Sequence, residues 1–277
     1  MRCAGLLILV GCATADATTA PVPPPSPALP APDQAAEVVG LTPGETMGFE
    51  IKVAGLMAGE AQLAVGQLGD YQGHRAVIVK SRAETAGAFA IAKHVVDEAT
   101  TVIDMETGRP LSLETAVEQG DARTTATATF QGNVAEITTR RPDGPNGKPD
   151  PRPRVQRVDF GAFTVHDAHS AMAQLRGWRA RPGERRTVFV VGGRRPWRIV
   201  LTCAGGETIG GAALGNRRAV RFTGEAFHTK RDLTPETVVP ARSFSVWLSD
   251  DADRVPLRLT ASTELGAITM DLTEYNR

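Results

Sequence analysis

Cysteine is scarce in this chain. The 277 residues hold 3, and two of them, Cys3 and Cys12, stand in the first dozen positions. Cys203 is then the one thiol left for the body of the chain, which excludes a disulfide framework or a cysteine metal cluster there. It sits in the apolar run Ile199 to Ala204, so it reads as a small buried hydrophobe. Aromatic residues make up only 5%. After the N-terminus no run is apolar for the roughly 18 residues that a spanning helix needs. There is no net charge either, with 31 Lys and Arg against 31 Asp and Glu.

Glycine and proline, by contrast, are plentiful at 28 and 19. With 42% hydrophobic residues there is material for one large core or two small ones, and the turn-formers favour a β-rich protein over a helical bundle. The zero charge hides an asymmetry. From Arg152 to Arg231 there are 16 Arg and Lys against 5 Asp and Glu, a local excess of 11 positive charges, so the remainder is correspondingly acidic.

Met1 and Arg2 precede an apolar stretch from Ala4 to Val10, and Leu9-Val10-Gly11-Cys12 matches a lipobox. A basic end, a short apolar core and a small residue before the cut are what export requires. Residues 1–12 therefore resemble a bacterial lipoprotein signal, with Cys12 as the lipid anchor. Residue 13 is Ala and not Asp, which by resemblance to enterobacterial sorting points to the outer membrane, facing the periplasm. From Ala13 to Gly40 the composition is Ala, Thr and Pro, with seven prolines between Pro21 and Pro32. Such a stretch buries almost nothing and reads as an extended, disordered tether with an upper reach of roughly 80 Å.

Residues 41–277 read as one β-rich domain. Phe49, Ile51 and Val53 alternate with Glu50 and Lys52, a turn at Gly55 to Glu60 leads into Ala61, Leu63 and Val65, and a third run spans Ala76 to Lys80. Gly87 to Ala92 reads as a helical turn. Further strands are expected at 94–103, 111–117, 123–130, 134–139, 187–191, 197–203, 207–211 and 217–227. Arg140 to Arg154, with five prolines, reads as a basic surface loop. Asp167 to Arg176 is the helix candidate, with Asp167 as cap and Ala168, Ala171, Met172 and Leu175 on one face. At the C-terminus Phe244, Val246 and Leu248 alternate with polar residues, Asp250 to Asp253 turns, and Val255, Leu257 and Leu259 return. Ala267 to Leu272 completes a meander.

These pieces are similar to the bacterial cell-envelope family known as domain of unknown function 3108. The residues that carry the resemblance are Gly44-Glu45 through Phe49-Glu50-Ile51, the Gly55 to Ala61 turn, Ser170-Ala171 with Leu175-Arg176, Pro182-Gly183-Glu184, and Val246 to Asp251 through Arg254 to Leu257. The resemblance covers Leu41 to Tyr275. It implies an all-β, mainly antiparallel, curled, barrel-like or spiral open sheet and a cell-envelope site, and it supplies no catalytic residue.

Candidate chemistry is thin. His166 and His169 could face one ion, but a catalytic zinc site needs a third protein ligand, and none is near in sequence. A cap at Asp167 with polar flanking histidines explains the run better. Asp250, Asp251 and Asp253 lack the Gly and the distal Glu of a calcium loop and read as a turn. The pairs Gly192-Gly193, Gly205-Gly206 and Gly210-Gly211 have no Walker lysine and read as hairpin turns and bulges, not phosphate loops; no cofactor is expected. Ten arginines, Arg179, Arg181, Arg185, Arg186, Arg194, Arg195, Arg198, Arg217, Arg218 and Arg221, could line one face and attract a lipid or other anionic envelope component. An exported lipoprotein does not meet nucleic acid. The expected role is a non-enzymatic envelope lipoprotein that binds an apolar or amphiphilic ligand or a partner protein. The alternatives are a metal-dependent envelope hydrolase centred on His166 and His169, and a tethered structural assembly factor.

Overall fold

The alternating runs become one sheet in the computed structural model, which describes residues 39–141, 152–193, 195–210, 215–230, 232–236, 239–263 and 266–277. The signal and tether, residues 1–38, and most of the basic loop, residues 142–151, lie outside the described residues. The first half of the chain supplies β1 (Thr46–Val53), β2 (Leu56–Val65), β3 (Gly69–Tyr71), β4 (His74–Thr85), helix α1 (Gly87–Ala92), β5 (Val95–Asp104), β6 (Pro110–Gln119), β7 (Ala122–Gln131), β8 (Val134–Arg140) and β9 (Arg154–Asp159). The second half supplies β10 (Val165–His166), helix α2 (Ala168–Gly177), β11 (Arg185–Gly192), β12 (Arg195–Ile209), β13 (Arg217–His228), β14 (Arg242–Ser249), β15 (Pro256–Thr263) and β16 (Gly266–Asn276).

The strand order is β10-β11-β12-β13-β14-β15-β16-β1-β2-β4-β5-β6-β7-β8-β9, with β3 beside β4. The two meanders join where β1 pairs with β16, Phe49 opposite Leu272. All pairings are antiparallel except that of β10 with β11. The ends of this path, β9 and β10, are neighbours in sequence, and they meet through side chains. Ile137, Val158 and Phe160 share an apolar cluster with Val165, Phe189 and Val191. The Phe189 ring lies 5.8 Å from that of Phe160 and 5.0 Å from that of Phe163. The sheet is therefore curled and barrel-like, as expected, but it stays open along a seam closed by packing and not by a ladder.

Register explains the inner face. Ile51, Met270, Leu259, Val246, Phe222 and Cys203 stand opposite one another on successive strands. Phe222 is fully buried and Cys203 is 1% exposed. Burial on this scale contributes about 1.5 to 3 kcal/mol for each large apolar side chain. Helix α2 occupies the interior between the two halves. Leu175 packs in one apolar cluster with Val188, Leu201 and Phe222, and the Trp178 ring lies 5.4 Å from that of Phe222. On the other side His169 reaches β4 and β5.

The structure amends the strand reading at β12, adds the strand β9, and enlarges the buried surface expected of α2. The strands expected at 197–203 and 207–211 are one 15-residue strand, β12, which passes through a bulge at Gly205 with φ of +101°. The edge strand β9 lacks an alternating pattern because five of its six residues are exposed, and Arg154 and Arg157 there discourage pairing with another chain. Helix α2 buries Leu175 as expected, with Ala171 and Met172 half-buried against the same apolar cluster, but Ala168 is exposed and the helix also buries His169, Ser170, Ala173 and Arg176, because polar partners await His169, Ser170 and Arg176 inside.

Candidate functional site

The polar interior is built from the start of α2. Asp167 caps the helix, its Oδ1 accepting from the Ser170 backbone N–H at 3.0 Å while Ser170 Oγ accepts from the Asp167 N–H at 3.0 Å. Such a capping box satisfies two backbone donors at once. Asp167 Oδ2 accepts from Thr101 Oγ1 at 2.6 Å. Thr101 Oγ1, its proton so committed, accepts from His169 Nδ1 at 2.7 Å. His169 Nε2 is then the acceptor for Ser81 Oγ at 2.8 Å. The result is a relay from Ser81 through His169 and Thr101 to Asp167, with the polarity of a hydroxyl, a base and an orienting carboxylate.

Burial sets what this relay does. Ser81 is 6% and His169 7% exposed, and Asp167 is fully buried. Burial holds the His169 pKa below its usual range, against the opposing pull of Asp167. Every polar atom of the relay is satisfied by another, so it locks α2 to β4 and β5.

His166 leaves the helix and belongs to β10, where its Nδ1 lies 3.2 Å from Ser170 Oγ. Burial pushes its pKa down to about 4; Asp167 opposes the shift while Arg109 and Arg186 add to it. The two histidines are thus buried members of a hydrogen-bond network, not polar flanks. Both ring nitrogens of His169 are taken, and among the described residues no group of three His, Cys, Asp or Glu converges. The metal-dependent hydrolase alternative needs three protein ligands on one ion, and the described residues around His166 and His169 do not bring a third to them.

A second buried polar cluster holds the far end of α2. Arg176 donates from Nη1 to Glu45 Oε1 at 2.6 Å and from Nη2 to Glu45 Oε2 at 2.9 Å, with side-chain exposures of 2% and 0%. The same carboxylate accepts from the Thr42 N–H and from Tyr275 Oη, tying together the segment that leads into β1, the helix and the last strand.

The ten arginines do not all share one face. Arg198 is buried at 3% exposure, Arg186 lies over the Trp178 ring, Arg218 pairs with Asp250, and Arg179 donates to the Ala252 carbonyl. Arg194 lies outside the described residues. The Asp run is a turn: Asp251 Oδ1 accepts from the N–H groups of Asp253 and Arg254 and from Ser249 Oγ.

A groove of about 520 Å³ crosses β12 to β16 on the face opposite the core. Its floor is a row of hydroxyls in register, Thr202 opposite Thr223, Thr223 opposite Ser245, and Ser245 opposite Thr260. Arg185, opposite Thr202 on β11, and Arg221 stand beside it. Arg221 donates to Ser245 Oγ at 3.3 Å and lies 5.1 Å from the Trp247 ring centroid, while the indole N–H donates to Glu207. The individual hydroxyls look like ordinary strand residues in sequence. Only their pairing across four strands reveals the row.

Comparison with known proteins agrees with this architecture. A sequence profile described as protein of unknown function (DUF3108) matches residues 48–273. Among curated proteins none matches. A β-barrel-like protein of domain of unknown function DUF1849 from Brucella abortus superposes with a TM-score of 0.54 at 9% identity, covering 87% of this chain and 98% of that one. At that identity the likeness concerns the fold alone. Lower similarity is found to a protein from Bacteroides fragilis described as exported, with a YmcC-like fold (TM-score 0.36, 8% identity, 88% of this chain and 100% of that one). A protein from Parabacteroides distasonis described as a lipoprotein gives a TM-score of 0.34 at 6% identity, covering 88% of this chain and 100% of that one.

Proposed function

The chain belongs to the DUF3108 family, and on that premise we propose that it is a non-enzymatic lipoprotein of the bacterial cell envelope that acts as a tethered binding scaffold. Cys12 is its lipid anchor, in the outer membrane and facing the periplasm, and the stretch that follows it, up to Gly40 where the chain docks on α2 through the Ala173 carbonyl, holds the sheet away from the bilayer. The observation that carries the reading is the occupied interior. Helix α2 and four apolar clusters fill the inner face, and the buried Ser81, Thr101, Asp167 and His169 satisfy one another. A scaffold of this kind meets its partner on the outside of the sheet, which supports a polar or protein partner over an apolar ligand held within. In the bacterial host, Cys12→Ala is expected to move the protein from the membrane fraction to the soluble periplasmic fraction and to abolish incorporation of labelled fatty acid. Persistence of the variant in the membrane fraction with label attached contradicts the anchor.

A further inference from the structure

We propose that the groove across β12 to β16 is a binding site for an acidic saccharide, a sugar chain carrying carboxylate or phosphate groups. The inference rests on the outer-surface reading above and adds the site and the ligand chemistry. Neighbouring strands lie about 4.8 Å apart, so the row Thr202, Thr223, Ser245 and Thr260 presents one hydroxyl at each step over about 14 Å. That repeat is comparable to the length of one pyranose ring, and each hydroxyl both donates and accepts, as sugar hydroxyls require. Ser245, already accepting from Arg221, keeps its own proton to donate into the groove.

The charges fix the sign of the ligand. Arg185 and Arg221 line the groove, and neither is ion-paired with a carboxylate among the described residues. Guanidinium forks match carboxylate and phosphate oxygens in pairs. Arg221 is already held in place by the Trp247 ring and by Ser245, so little side-chain freedom remains to be lost on binding. Glu225, on the same rim, is an acceptor for sugar hydroxyls and opposes a bare polyanion. The volume of about 520 Å³ lies within the range of small-molecule sites. The lining offers no long apolar channel for an acyl chain, which sets a saccharide apart from a membrane surface.

The test is calorimetric titration of the native protein at two salt concentrations with four probes: a uronic acid trisaccharide, a phosphorylated disaccharide, neutral maltotriose and inorganic pyrophosphate. The expected result is that one of the two acidic saccharides binds at least tenfold tighter than maltotriose and than pyrophosphate. Preference between uronate and phosphate identifies which acid the groove takes. Arg185→Gln, at an exposed position, is expected to cost about tenfold in affinity, as the loss of a charged hydrogen bond does. The near-isosteric Thr223→Val should cost several-fold through the hydroxyl row alone, with unchanged thermal unfolding. Equal binding of all anions, or saccharide affinity indifferent to Thr223→Val and Arg185→Gln, overturns the site and leaves the scaffold reading standing. That reading is tested separately by the content of the interior.

Discussion

Replacing Arg176 by Met strips the Glu45 carboxylate of its partner in a place water does not reach. Two charge-assisted hydrogen bonds of 2.6 and 2.9 Å disappear, together with the 3.0 Å bond from Nη2 to the Asp253 carbonyl. Breaking a buried pair from one side costs about 3 to 5 kcal/mol, most of it the penalty for the stranded charge. The same penalty is expected for Glu45→Leu, which strands the guanidinium. With both replaced no charge is stranded, and the double variant should lose no more than about 2 kcal/mol, because well-packed apolar pairs replace buried ion pairs at little cost. Urea unfolding of the four proteins measures this as a shift in midpoint at constant slope. Single-variant losses below about 1 kcal/mol, or a double-variant loss equal to the sum of the singles, refute the view that this pair clamps α2 to the segment that leads into β1.

Further perturbations address other parts of the structure. His166 has an ordinary pKa of 6.5, held down to about 4 in the folded chain, so the unfolded chain takes up the proton first as pH falls. Its contribution is intact above pH 6.5 and fades toward pH 4, by about 3 kcal/mol at the lower limit, and the stability of His166→Gln, followed by chemical unfolding, should decline less steeply over that window. Phe189→Ala opens the seam between β9 and β10 and should cost about 3 to 5 kcal/mol, read by thermal unfolding. Gly224→Ala places a Cβ within 2.2 to 2.6 Å of three carbons of the Phe244 ring. It should cost about 1 to 3 kcal/mol in chemical unfolding, with part of the loss recovered by adding Phe244→Leu.

What was legible in the sequence is what depends on near neighbours. The C-terminal hairpin announces itself by alternation on either side of an Asp turn, and Asp167 caps α2 because capping is a matter of three residues. The relay was not legible, since Ser81 and His169 stand 88 residues apart and meet only because the sheet curls around the helix. A trace of it existed: Ser81 and Thr101 are polar residues at inward positions between Val79, Ala83, Ala99 and Ile103. The sequence of α2 suggested an apolar face at Ala168, Ala171, Met172 and Leu175. Leu175 is buried there and Ala171 and Met172 are half-buried, but the helix also buries His169 and Arg176, whose partners Ser81 and Glu45 are distant in the chain. The parallel pairing of β10 with β11 spans two residues, too few to leave a pattern.

The most direct test of the scaffold account is the content of the interior. Native mass spectrometry with organic extraction, on protein purified from a bacterial envelope, reads every lipid the molecule carries. The account predicts the polypeptide with the covalent lipid of Cys12 and, in Cys12→Ala, the bare polypeptide mass. A further lipid-sized mass that survives in Cys12→Ala and is released by solvent contradicts a filled interior and returns the protein to the class of apolar carriers.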